Sequence, residues 1–447
     1  MTRRYFGTDG VRGPYGGEVV NEIFAARLAR AAVEFGKKKN PEMRRVVVGR
    51  DTRTSGGSLV TAILCDLAET TDLEIIDGGI APTPAIAGAM EELEAGIGIV
   101  VTASHNPASD NGFKFFLSPG RKLTDAEELG IENLLDHACF AKSKGGFITE
   151  VDVAEMYRNR MRGHLSPRGL AGWRIVVDAA NGATAGTTAQ VLKALGAELV
   201  LIGHEPNGRN INDGVGSQHP EKLSKIVLEN QARLGIAHDG DGDRVVLCDE
   251  KGTVLDGDDL LAILGTEALR TGQLNRNRLV ATVQSNRGLD HAIEAAGGEV
   301  IRTEIGDRYV LDRMIRDRLN IGGESSGHVV LLDLSPTGDG LACALKVLQV
   351  MQNTGKPLSV LRQCWHRLPQ CCKNIVVNQK PPLQDLKVLS EAIHHVEDRL
   401  GARGRVLVRY SGTEPMLRLL VEGEDPVEID RLLARLHAAA VTEFGVN

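Results

Sequence analysis

Long apolar runs are missing from this 447-residue chain: nowhere do about 18 apolar residues follow one another, so no membrane-spanning helix and no membrane partner are expected. Aromatic residues make up only 4%, and a net charge of -7 comes without any extended basic stripe. Base stacking and phosphate-backbone tracking are both disfavoured, and no nucleic-acid partner is expected. Seven cysteines form no C-x-x-C pair, and their odd number argues against a disulfide framework. Cys364, His366, Cys371 and Cys372 cluster, but with looser spacing than structural zinc uses. G-x-x-x-x-G-K-[ST] and G-x-G-x-x-G are absent and no G-x-S-x-G surrounds Ser104, which disfavours a P-loop kinase, an ordinary dehydrogenase and classical acyl transfer by that serine. The basic start MTRRYFGTDG has no apolar stretch behind it, and a cytoplasmic location is expected.

What is present is the composition of a loop-rich globular enzyme: 42% hydrophobic and 25% charged residues, with 51 glycines and 16 prolines. At about 100 to 150 residues per domain the length suggests three or four domains. A pattern repeats along the chain. RRVVVGRDTR, WRIVVDAANG and NRLVATVQSN each run from a basic residue through a β-branched stretch into a polar loop. A second echo follows each of them: GIGIVVTASHNP, LGIAHDGDGDR and LNIGGESSGH, in which a short apolar strand empties into a polar loop. Helical stretches at 187–196 and 287–296 lie between such strands, as in βαβ units. An amphipathic helix with Asn21 as its N-cap precedes the first strand. The tail reads as a hairpin over 404–423, then a helix opened by Asp425, Pro426 and Glu428.

The expected fold is therefore α/β: three related α/β domains with mixed sheets (1–152, 153–255 and 256–367) and a smaller C-terminal α+β domain (368–447) around a central cleft. The polar loops would sit beyond the carboxyl ends of strands, where open α/β sheets bind ligands.

HDGDGDR is the strongest chemical signal. Asp239, Asp241 and Asp243 alternate, so in an extended loop their carboxylates share one side. At about 4 Å each pair costs roughly 1 kcal/mol in water and about 4 kcal/mol at an effective dielectric of 20, a penalty that a hard cation reverses. One Mg2+ ion is expected. A calcium loop of EF-hand type fails because Arg244 stands where glycine is required. RYSGTEP, with Arg409 and Arg418 nearby, suits a phosphate clamp, and GTDGVRG and GRDTR bring further arginines into glycine-rich loops. GGESSGH offers Glu324, Ser325, Ser326 and His328 to hydroxyl-rich ligands. His105 should point away from Ser104 along an extended chain. A serine, an acidic metal loop and several arginine loops make joint sense if Ser104 itself carries a phosphoryl group.

These motifs resemble those of the α-D-phosphohexomutases, in the family's order and over essentially the whole chain. TASHNP resembles the phosphoserine loop, DGDGDR the metal loop, GGESSGH the sugar-reading loop and RYSGTEP the phosphate-binding loop. YFGTDGVRG, SNRGL and GDRYV are similar to the phosphoglucosamine branch, although Ser325 stands where that branch usually has glutamine and Tyr410 where proline or lysine is commoner.

The resemblance implies interconversion of glucosamine 6-phosphate and glucosamine 1-phosphate, through a phosphoserine enzyme and a bound glucosamine 1,6-bisphosphate that also activates. It implies Ser104, Asp239, Asp241 and Asp243 as metal ligands, with Ser104 as phosphoryl carrier. Lys114, Arg12 and His328 give electrostatic support and proton transfer; Lys114 is the favoured base if nearby cations lower its pKa. Arg244, Glu324, Ser326, Arg409, Ser411, Gly412, Thr413 and Arg418 hold the substrate. The partner is a small phosphosugar; a homodimer and a kinase that primes Ser104 stay open. Two rivals remain: a phosphomannomutase or phosphoglucomutase of the same family, and a non-catalytic sugar-phosphate sensor.

Overall fold

The three echoes lie on equivalent strands. In a computed structural model describing residues 3–7, 9–137, 145–411 and 415–445, the first echo forms Arg45–Arg50, Arg174–Asp178 and Arg278–Thr282. Each pairs in parallel with the next strand along the chain, Glu74–Ile80, Glu198–Ile202 and Glu299–Thr303 respectively. On its other side each pairs in parallel with the second echo, Ile97–Val101, Leu234–His238 and Ile321–Gly323. That strand then turns back into an antiparallel neighbour: Asp110–Leu117, Val245–Asp249 and Val329–Leu331. The same four-strand arrangement thus occurs three times, in mixed α/β sheets.

The second-echo strands are buried along their whole length. A strand covered on both faces has no use for a polar residue, so its polar residues collect in the reversal that follows. Those reversals, 102–109, 239–244 and 324–328, are the three loops singled out in the sequence. In the first sheet an added edge strand, Val11–Pro14, pairs with Asp110–Leu117 and sets Arg12 opposite Gly112. Asn21 caps the helix Glu22–Lys39 by accepting from the Phe24 N–H at 2.9 Å, and the helix ends in three lysines that suit its negative terminus. Its apolar face, including Leu28, packs with Leu59, Ile63, Ile97 and Phe113 in the first core.

Packing divides the chain into two units: Met1–Gln284 with Ile293–Cys364, and Ser285–Ala292 with Trp365–Asn447. The second contains an antiparallel sheet in the order Gln370–Val376, Met416–Gly423, Gly404–Tyr410, with Lys387–Leu400 and Pro426–Phe444 supplying Leu389, Val396, Leu433 and Leu436 to its core. Asp425 caps the last helix through the Val427 N–H (2.9 Å). Glu428 differs from expectation: its carboxylate accepts from Arg399 at 2.6 Å instead of closing a capping box. Residues 285–292, within the range expected for the third domain, belong to this unit because Asn286 exchanges hydrogen bonds with the Leu368 backbone (3.0 and 2.9 Å) and donates to the buried Glu422 (3.1 Å). Among the described residues no helix is long and apolar enough to cross a membrane.

Candidate active site

Within the first unit the three reversals meet. Ser104 is fully buried and has φ +52°, the left-handed region that side chains other than glycine seldom adopt. Its Oγ donates to Asp239 Oδ2 at 2.6 Å. Close approach explains the intervening glycine, because a Cβ on Gly240 would lie 2.6 Å from the Ser104 carbonyl oxygen. The left-handed turn also corrects the expected direction of His105. Strand alternation is broken there, so His105 Nδ1 lies 3.4 Å from Ser104 Oγ rather than on the opposite side. Burial, then the nearby Arg244 and Arg12, push the imidazole down to about 4, which leaves it neutral at physiological pH.

Asp239, Asp241 and Asp243 are all buried, and one oxygen from each falls within 4.8 Å of the others. Burial first, and then the two neighbouring carboxylates, raise Asp239 to about 8. Asp241 Oδ2 accepts from Thr83 Oγ1 (2.6 Å) and Lys114 Nζ (2.8 Å), and Asp243 Oδ2 accepts from Lys114 (2.6 Å). Asp241 Oδ1 and Asp243 Oδ1 are buried with no hydrogen-bond partner among the described residues. An orphaned buried acceptor costs about 1 to 3 kcal/mol, more when charged. Three hard carboxylate oxygens beside a serine hydroxyl, two of the carboxylates each keeping a buried oxygen without a hydrogen bond, fit a small divalent cation.

Lys114 differs from the sequence expectation. Burial opposes its charge, but Asp241, Asp243 and Asp9 outweigh burial and hold its pKa well above the usual lysine value. In this arrangement it neutralises carboxylates and keeps its proton. His328 is raised too: burial works against the cation, but Asp243 (Nδ1 to Oδ1, 3.6 Å) and Asp307 (Nε2 to Oδ2, 3.5 Å) outweigh it. Lys122, half-buried like Asp9, completes a ring of alternating charge, pairing with Asp307 and with Asp9 (2.7 Å), which lies 3.0 Å from Lys114. Asp9 also pairs with Arg12, whose Nε is buried without a hydrogen-bond partner. Arg244 Nε is likewise buried without a hydrogen-bond partner and lies 3.9 Å from Asp243.

In the third reversal, Glu324 Oε1 accepts the Gly306 N–H at 3.0 Å, and burial followed by Asp307 raises its pKa. Ser326 is exposed and Ser325 half-buried. Gly327 has φ +88°, and a Cβ there would sit 2.2 Å from the Val245 carbonyl, so the turn admits no side chain.

The second unit holds the expected phosphate clamp as a separate feature. Arg409 and Arg418 face each other across the Gly404–Tyr410 and Met416–Gly423 pairing. Burial and then Arg418 lower the Arg409 pKa. Like charges directly opposite on a sheet are destabilising unless an anion lies between them. Ser411 is buried, and its carbonyl accepts from Lys380 Nζ at 2.6 Å. Gly412 and Thr413 lie outside the described residues.

Sequence reading missed Asp9, Lys122, Asp307 and Thr83. Asp9 and Asp307 at least sit inside noted motifs, GTDGVRG and GDRYV; Lys122 and Thr83 have no local signal. Arg53 of GRDTR, one of the arginines that the sequence places in a glycine-rich loop, is fully buried and spends its donors on the protein itself.

The geometry is that of a family with known members. Descriptions of the phosphoglucomutase/phosphomannomutase family match four segments: alpha/beta/alpha domain I over residues 3–142, domain II over 155–252, domain III over 256–368 and the C-terminal domain over 373–439. The chain belongs to this family. Curated relatives include the phosphoglucosamine mutase of Syntrophotalea carbinolica, 41% identical with 100% of this chain and 99% of the relative covered, and that of Geobacter sp. (strain M21), 43% identical with 96% and 95% covered. A phosphoglucomutase/phosphomannomutase family protein from Burkholderia thailandensis shares the fold at a TM-score of 0.82, 25% identity and 98% coverage of each chain.

Proposed function

We propose that this enzyme interconverts glucosamine 6-phosphate and glucosamine 1-phosphate, with Ser104 as the phosphoryl carrier and glucosamine 1,6-bisphosphate as bound intermediate and activator. One observation carries the reading: a buried, strained serine hydroxyl lies 2.6 Å from the first of three converging aspartates. Full-length likeness to phosphoglucosamine mutases at 41% to 43% identity supports the amino-sugar substrate.

Ser104, Asp239, Asp241 and Asp243 would hold one Mg2+, which supplies charge neutralisation at the transferring phosphoryl group. Ser104 presents its phosphate to the O1 hydroxyl of glucosamine 6-phosphate. As the O1–P bond forms, the Ser104 Oγ–P bond breaks, the O1 proton passes to a base and Oγ takes up a proton to become the hydroxyl. Lys114 and His328 are the candidates. Lys114 takes that role when a cation shares its aspartates, which weakens their hold on its proton. Arg12 and Arg244 turn buried guanidinium atoms toward the phosphates. Glu324 and Ser326 read ring hydroxyls, while Arg409, Ser411, Gly412, Thr413 and Arg418 hold the phosphate that is not reacting. After the bisphosphate reverses, its 6-phosphoryl group passes to Ser104: the Oγ–P bond forms as the O6–P bond breaks, the hydroxyl proton of Ser104 is given up and O6 gains one, and glucosamine 1-phosphate leaves.

The same proposal has a priming kinase or the bisphosphate supply the first phosphate, the enzyme act as a homodimer, and the reaction run in the cytoplasm. Six free cysteines among the described residues suit a reducing compartment. Comparative turnover tests the substrate. Glucosamine 6-phosphate should exceed mannose and glucose phosphates in kcat/KM by about tenfold or more. Preference for either neutral sugar would move the enzyme to a sister activity, and no isomerisation of any of them would leave the sensor reading.

A further inference from the structure

Arg53 heads the fully buried side chains in size, yet all its partners belong to one neighbourhood. A guanidinium has five N–H donors. Nε donates to Asp51 Oδ2 (2.9 Å); Nη1 to the carbonyls of Pro107 and Asp110 (2.8 Å for the latter); Nη2 to those of Ser104 (3.0 Å) and Asn106 (2.8 Å). Every donor is used, and four of the five acceptors are backbone oxygens of residues 104–110.

Four carbonyls can converge on one cation only if the chain wraps around it. The wrap places Ser104 in the left-handed region, a strained conformation that persists only where surrounding contacts dictate it. Those contacts are redundant. Asp51 Oδ2 also accepts from Thr102 Oγ1 (2.6 Å), which accepts from the Ser104 N–H (2.9 Å). From the loop that follows strand Glu198–Ile202, Asn212 Nδ2 donates to the carbonyls of Ser104 (2.9 Å) and Asn106 (3.0 Å). The carbonyls are thereby fixed inward and the Ser104 side chain outward, toward Asp239.

We infer that Arg53 is a positioning residue: its guanidinium is the template that folds the serine loop and fixes the line along which phosphorus reaches Ser104 Oγ. This rests on the reading of Ser104 as phosphoryl carrier. The Arg53 donors meet Asp51 and the loop carbonyls and not Ser104 Oγ or the three aspartates, so it acts through the loop.

The test is Arg53→Ala, with Thr102→Val as a gentler companion, assayed in the full chain for kcat, KM, thermal midpoint and Ser104 phosphate by intact mass. Misplacement of the nucleophile predicts a kcat loss of about 100-fold, with KM for the sugar phosphate within about twofold of wild type. Millimolar guanidinium should restore part of kcat to Arg53→Ala, whereas sodium chloride at equal ionic strength should not. A folded Arg53→Ala protein with wild-type kcat overturns the inference, as does a loss that follows the unfolded fraction and resists guanidinium. If Arg53→Ala does not fold, Thr102→Val decides: lower kcat at an unchanged midpoint supports the template, and unchanged kcat overturns it. Wild-type protein that turns over with Ser104 never phosphorylated defeats the phosphoserine reading itself, a result separable from either variant's behaviour.

Discussion

Replacing Ser104 with alanine should lower isomerisation by about 10⁴-fold or more, because loss of a covalent carrier is not compensated by the groups around it. The fold should survive. Alanine removes a single hydroxyl that meets Asp239 and His105, while the loop is still held by the Arg53 and Asn212 bonds to backbone carbonyls. Substrate binding should survive as well, since Arg409 and Arg418 do not depend on Ser104. The expected result is a folded protein that binds sugar phosphate and does not isomerise it, read by coupled assay beside calorimetric titration. Turnover within tenfold of wild type would remove Ser104 from the chemistry.

The second large effect concerns the aspartates, and in Asp239→Asn stability and activity should move in opposite directions. Chelation of divalent cations, or Asp239→Asn, should lower kcat by on the order of 10³-fold, the several kcal/mol that a metal contributes to a phosphoryl transition state. Without metal, burial and the two neighbouring carboxylates raise Asp239 to about 8 in the folded state, against about 3.9 unfolded. Between those values the native state binds more protons than the unfolded chain, so metal-free stability falls as pH rises from about 4 to about 8. Asp239→Asn should flatten that slope and melt higher than the metal-free wild type at pH 8 while remaining inactive. Added Mg2+ should stabilise wild type at pH 8 and leave the variant nearly unchanged. A variant that melts lower without metal would contradict the electrostatic account of the trio.

How much of this was legible depended on whether a signal was local. The threefold repeat could be read because each copy places a β-branched strand before a polar turn, a pattern complete within ten residues or so. Ser104 and the three aspartates were legible for the same reason. Lys122 and Thr83 were not: their partners Asp307 and Asp241 lie 185 and 158 residues away in the chain. Spacing carries no information over such distances. His105 was misjudged because strand alternation was extended into a residue pair whose backbone turns left-handed. The role of Arg53 was hidden differently. An arginine in a glycine-rich loop suggests an anion, and only the converging carbonyls show that its ligand is the protein's own backbone. The attachment of residues 285–292 to the C-terminal unit depends on Asn286 meeting Leu368 and Glu422, again beyond the reach of any local pattern.

The central claim can be tested by following the phosphorus. Enzyme incubated with ³²P-labelled glucosamine 1,6-bisphosphate, quenched during turnover and digested, should yield label on the peptide containing Ser104, appearing and decaying fast enough to account for kcat. Isomerisation at full rate with no label on that peptide would contradict the account.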